Sequence, residues 1–122
     1  MYEFEVRPDL ITETRNQIGE VLKDSGQSSR TVNRAMVLFE ELFMLVYDLN
    51  PGKAVLAECI VESGERVHII TKDNGVYYDL MDPDLQVGSF RSFVLSSLTE
   101  KLTRNRVNLV SLSFNRNSFE IE

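Results

Sequence analysis

The sequence predicts an α+β domain: a two-layer α/β sandwich with helices on one face of a mixed, mainly antiparallel sheet. Three observations predict it. Two stretches in the first half carry apolar residues at helical spacing, one of them apolar around more than half its circumference. Two Val- and Ile-rich runs follow, joined by the turn-forming Glu62-Ser63-Gly64-Glu65. Short alternating segments stand at both ends of the chain. The expected order is β-α-α-β-β-loop-α-β-β, in a single domain spanning residues 1–122.

Each element has its own signal. Residues 2–6 alternate as a short strand. Pro8 opens the first helix with Asp9 in its first turn. Leu10, Ile11, Ile18, Val21 and Leu22 share one face, and Ser25-Gly26 ends it. Ser28 or Ser29 caps the second helix, which runs through Val32, Ala35, Phe39, Leu42, Phe43 and Val46 to the stop at Asn50-Pro51-Gly52. Residues 54–61 and 66–73 read as strands, with Asn74-Gly75 as the turn that follows. Residues 76–87 mix two tyrosines, three aspartates and a proline, and read as an ordered loop. Gly88 begins a third helix with Phe90, Phe93, Val94, Leu95 and Leu98 on its apolar side. Residues 107–114 and 118–122 form a closing hairpin around Asn115-Arg116-Asn117.

Composition narrows the function classes. The net charge is −6 and the 13 Lys and Arg residues are scattered, so neither nucleic acid nor an anionic membrane is an expected partner. Cys59 is the sole cysteine, which excludes an internal disulfide and a cysteine-based zinc site. A lone Cys in a strand-like run is expected to be a small buried side chain in a reducing compartment. No apolar run approaches the ~18 residues of a membrane helix, and residues 1–8 have no signal-peptide character. The expectation is a cytoplasmic domain without a metal site. His68, the only histidine, is expected to be structural or on the surface.

Three places could carry chemistry. Glu41 shares a helical face with Leu38 and Leu45; a carboxylate between two leucines loses solvation and suits proton abstraction. Glu40 and Glu41 could equally face solvent. Asp73 is in phase with Val67, Ile69 and Thr71, so it points toward the core side at a strand end, where it can accept from an amino group. Asp73-Asn74-Gly75 could also be ordinary turn chemistry. Gly88, at a helix start, lets a phosphate approach free N–H groups, or simply relieves a tight turn.

In order and spacing these segments resemble the histidine-kinase-like ATPase superfamily over essentially the whole chain, most closely its compact anti-sigma-factor/serine-kinase type. Leu38-Phe39-Glu40-Glu41-Leu42-Phe43-Met44-Leu45-Val46 is similar to the family's helix box of a catalytic Glu and, four residues later, a Mg²⁺-holding Asn. Glu41 matches the base, and Leu45 stands at the Asn position. Asp73-Asn74-Gly75-Val76-Tyr77 is similar to the adenine-binding Asp-x-Gly-x-Gly, with Tyr77 in place of the second glycine. Gly88-Ser89-Phe90-Arg91-Ser92-Phe93-Val94 is similar to the phosphate motif, with Phe90 in place of its second glycine. Asn108 falls at the polar position near the adenine Asp.

The resemblance implies a catalytic Glu41, and nucleotide binding through Asp73, Gly75, Gly88 and Asn108. ATP and Mg²⁺ are the cofactors it implies. The three replacements point the other way. Leu45 has no oxygen for a hard cation, Tyr77 can fill the space of adenine, and Phe90 blocks close approach to phosphate. The resulting expectation is a degenerate, catalytically inactive ATP-binding domain. It would act as a regulatory protein-interaction module in bacterial signalling, with a protein partner and possible homodimerisation. The competing expectation is an ATP-binding serine kinase of the anti-sigma type. Leu56, Ile60 and Ile70 would lie on the sheet's other face, which is apolar enough to be an interface.

Overall fold

The computed structural model describes residues 1–80, 101–108 and 113–121, and for residues 101–108 and 113 the backbone pairing alone. In chain order the elements are β1 (Tyr2–Glu5), α1 (Pro8–Asp24), α2 (Ser29–Leu49), β2 (Leu56–Ser63), β3 (Val67–Asp73), β4 (Lys101–Asn108) and β5 (Ser113–Ile121). The strands form one sheet in the order β1-β2-β3-β5-β4. Every pairing among the described residues is antiparallel, so the mixed character expected of the sheet is not found among them. The described residues form an α+β arrangement, with two helices and an antiparallel sheet. The third helix expected from Gly88 lies outside the described residues.

The helices end where local chemistry dictates. Pro8 opens α1, and Arg7 Nε donates to Asp9 Oδ1 at 2.9 Å in its first turn. Its C-terminus closes through Gly26, whose φ of 88° suits a residue without a side chain; Gln27 N then donates to Leu22 O at 3.1 Å. Ser28 caps α2, its Oγ accepting from Thr31 N at 3.2 Å. Of the five apolar residues expected on the inner face of α1, Ile11, Ile18 and Leu22 are buried, whereas Val21 is 49% exposed. Val21 sits one step around the helix from Leu22, beyond the reach of α2 and the sheet.

Alternation along the strands separates two faces. Ala57, Cys59, Val67, Ile69, Thr71 and Asp73 are buried, as are Asn115, Asn117, Phe119 and Ile121. This face meets the helices, with Phe4 against Phe39 and Phe43 at ring-centroid distances of 5.5 and 4.9 Å. Leu56 and Ile60 point the other way and are 63% and 38% exposed, as their phase predicts. No helix among the described residues is long and apolar enough to cross a membrane.

The closing hairpin departs from the sequence expectation. Asn115-Arg116-Asn117 is not a turn but the middle of β5, and β4 begins at Lys101 rather than at 107. β4 ends at Asn108 and β5 begins at Ser113. Asparagine favours turns because its side chain satisfies backbone groups locally. Here both side chains are buried and spend their donors on long-range partners, described below, so the turn preference is overridden.

Cys59 is fully buried in β2, and burial pushes its thiol pKa up to about 12. The native protein should therefore leave Ellman's reagent unreacted until it unfolds. A thiol pKa raised in the folded state contributes stability below the ordinary thiol range that is lost as pH rises toward about 12, so the urea midpoint should fall on that alkaline limb. Rapid stoichiometric labelling under native conditions would contradict this packing. Phe43→Ala, in the aromatic cluster, should lower unfolding free energy by about 3–5 kcal/mol in the same urea titration.

Candidate functional site

β3 carries Asp73 to its last position on the helix-facing side, where it is 2% exposed. A buried carboxylate must find donors, because stripping it of water costs several kcal/mol. Asp73 Oδ1 accepts from Gly75 N at 3.0 Å and from Asn115 Nδ2 at 2.9 Å, and Oδ2 accepts from Tyr78 Oη at 2.9 Å. Tyr78 Oη in turn accepts from Asn117 Nδ2 at 2.8 Å. The two asparagines reach this point because Asp73 pairs with Asn115 and Thr71 with Asn117 across β3 and β5. Each of these three contacts is a donation into the carboxylate.

The segment after β3 is fastened from the helix layer. Asn50, the residue that closes α2, donates from Nδ2 to Val46 O at 2.8 Å and accepts at Oδ1 from Val76 N at 3.0 Å. Gly75 lies so close that a Cβ there would come within 2.7 Å of Asn50 Nδ2. Its φ is not positive. The glycine is therefore required for close approach rather than for a left-handed turn. Asn74 extends the strand pairing instead of turning: its Oδ1 accepts from Leu56 N at 2.9 Å, while its own N donates to Leu56 O at 3.2 Å.

The sequence-derived candidates divide as follows. Asp73 and Gly75 stand together in this cluster. Glu41 is half-buried on α2 between the fully buried Leu38 and Leu45. Its neighbour Glu40 is bound to α1 through Arg15 Nη1 at 2.6 Å. Asn108 ends β4 opposite Ser113, with β5 between its strand and β3. The polar residue beside the Asp is Asn115, not Asn108. Gly88 and Phe90 lie outside the described residues. Tyr77, expected to fill the space beside Asp73, is 50% exposed; its neighbour Tyr78, 3% exposed, turns inward.

Four members of the cluster escape a motif-based reading: Asn50, Tyr78, Asn115 and Asn117. The strand alternation from Asn115 to Ile121 is the signal that could have found two of them. Thr71 Oγ1 and Asn117 Oδ1 are also buried, and neither has a hydrogen-bond partner among the described residues.

A scan against protein-family models gives no match for this chain, and a search of curated proteins gives none either.

Tyr78→Phe keeps the ring and removes one donor to the carboxylate and one acceptor for Asn117. It should lower unfolding free energy by about 1–3 kcal/mol, read from the urea midpoint. Tyr77→Phe, one residue earlier and exposed, should change it by less than about 0.5 kcal/mol. Equal effects at the two positions would reject this assignment of the inward ring.

Proposed function

We propose that the chain is a regulatory protein-interaction module. It is built like a histidine-kinase-like ATP-binding domain whose nucleotide site has become part of its own core. The carrying observation is the hydrogen bond from Tyr78 Oη to Asp73 Oδ2 at 2.9 Å. In the family the chain resembles, the equivalent carboxylate accepts from the amino group of adenine. Here a phenol of the same chain makes that donation, while Gly75 N and Asn115 Nδ2 take the other oxygen.

The residues present do not fit Mg²⁺-ATP. An incoming adenine would have to displace a buried tyrosine that is itself held by Asn117. At the metal position Leu45 offers only hydrocarbon and is fully buried. Phosphoryl transfer rests on metal and charge positioning, so Glu41 alone does not make a catalyst. Fold and function separate readily. A domain that keeps its scaffold while filling its ligand site retains its surfaces for recognition.

A second reading, an ATP-binding serine kinase of the anti-sigma type, has one observation in its favour. The Thr71 hydroxyl and the Asn117 carbonyl are unspent among the described residues and would suit the edge of a heterocycle.

Calorimetric titration with ATP and with ADP, each with and without Mg²⁺, separates the two. The expected result is no saturable binding below millimolar nucleotide. Micromolar, Mg²⁺-dependent affinity would overturn the proposal in favour of the kinase.

A further inference from the structure

The open face of the sheet carries an ordered row of charge. Glu3, Glu58, Lys72 and Arg116 are consecutive in register across β1, β2, β3 and β5: Glu3 pairs with Glu58, Glu58 with Lys72, and Lys72 with Arg116. All four lie in the phase opposite to the buried residues of their strands, and none is fully buried. The row thus reads acid, acid, base, base from one side of the sheet to the other. Beside it runs an apolar step in which Ile60 pairs directly with Ile70. On its other side stand Leu56, 63% exposed, and Phe114, whose ring sits 4.4 Å from Lys72 Nζ. A shallow groove of about 400 Å³ runs between these side chains.

Such a row is complementary to itself. A two-fold axis lying between two facing sheets, parallel to the strands and passing between β2 and β3, reverses the left-to-right order of the second copy. It sets Glu58 over the partner's Lys72, Glu3 over the partner's Arg116, and Ile60 over the partner's Ile70. A two-fold axis across the strands would set like charge on like charge. Isologous contacts of this kind are the usual basis of homodimers. We propose that this open face is the contact between two copies of the chain, paired about the strand-parallel axis.

An axis between β2 and β3 overlays four strands, β1, β2, β3 and β5, on their counterparts. Four strands about 4.8 Å apart and about seven residues long at about 3.3 Å each give a face on the order of 440 Å², or about 900 Å² for both copies. That is at the low end of interface sizes, where the charge match has to supply the specificity. Facing sheets cross at about 30°, so the match is best near the axis, where Glu58, Ile60, Ile70 and Lys72 lie. The proposal does not depend on the nucleotide site, which is on the other side of the sheet.

The test is a charge exchange read by light scattering at low salt, with circular dichroism melts to verify folding. The wild type should be dimeric at micromolar concentration. Glu58→Lys alone and Lys72→Glu alone should each set like charges together at two symmetric places and raise the dimer Kd by roughly a hundredfold or more. An equimolar mixture of the two single variants should regain a dimer containing one of each, since both cross-pairs are then opposite in sign. Lys23→Glu, on the exposed outer side of α1, should leave the dimer unchanged. If either single variant fails to fold, Arg116→Glu with Glu3→Arg repeats the design at the outer pair. A monomeric wild type, single variants that stay dimeric, or folded variants whose mixture stays monomeric would each overturn the proposal.

Discussion

The buried carboxylate of Asp73 is the constraint on which the rest of this structure depends. Three donors from three places in the chain converge on it: a backbone N–H two residues on, a tyrosine five residues on, and an asparagine from β5. Hydrogen bonds to a charged acceptor are worth about 1.5–3 kcal/mol each, enough together to offset a desolvation penalty of several kcal/mol. Remove one and its share of that offset is lost. The cluster therefore fixes the register of β5 against β3. A slip of one residue would turn Asn115 and Asn117 outward and bring Phe114 and Arg116 against Asp73. It also holds the start of the segment after β3, which Asn50 binds independently to the end of α2.

Much of the fold was legible in the sequence. Periodicity located both helices and the β2–β3 pair, and the stop at Asn50-Pro51-Gly52 matched the end of α2. Phase along β3 placed Asp73 inward and Ile70 outward. The end of the chain misled because its inward positions are polar. Asn-Arg-Asn carries a local turn preference, and only partners more than thirty-five residues away in sequence, Asp73 and Tyr78, make those asparagines suitable for a buried strand. Long-range satisfaction of this kind has no local signature. The same holds for Tyr77 and Tyr78. Adjacent residues leave an irregular segment in opposite directions, and nothing in two successive tyrosines says which one finds the donor from Asn117.

The site was legible as residue types more than as contacts. Asp73 and Gly75 were singled out together, and they do meet. The reason for the glycine, however, is the side chain of Asn50 at the helix end rather than backbone handedness. Asn108 was placed by analogy of strand position. The structure puts Asn108 at the end of β4, one strand beyond β5, and gives the place beside Asp73 to Asn115, a residue the sequence pattern assigns to a turn.

One face of the sheet is buried and the other carries the charged row, and the same strands serve both. In β3, Thr71 and Asp73 enter the buried cluster while Lys72, between them, joins the charged row outside; in β5, Asn115 and Asn117 flank Arg116 in the same way. The register that satisfies Asp73 is thus the register that aligns Glu3, Glu58, Lys72 and Arg116. The two sides differ in how they answer to solvent. Neutral donors around a buried carboxylate are little affected by ions, whereas exposed charges more than about 8–10 Å apart are largely screened at physiological ionic strength. A change in salt would then act on association through the outer row while leaving the inner cluster, and with it the fold, in place. A surface tied by register to the core keeps its pattern for as long as the domain stays folded.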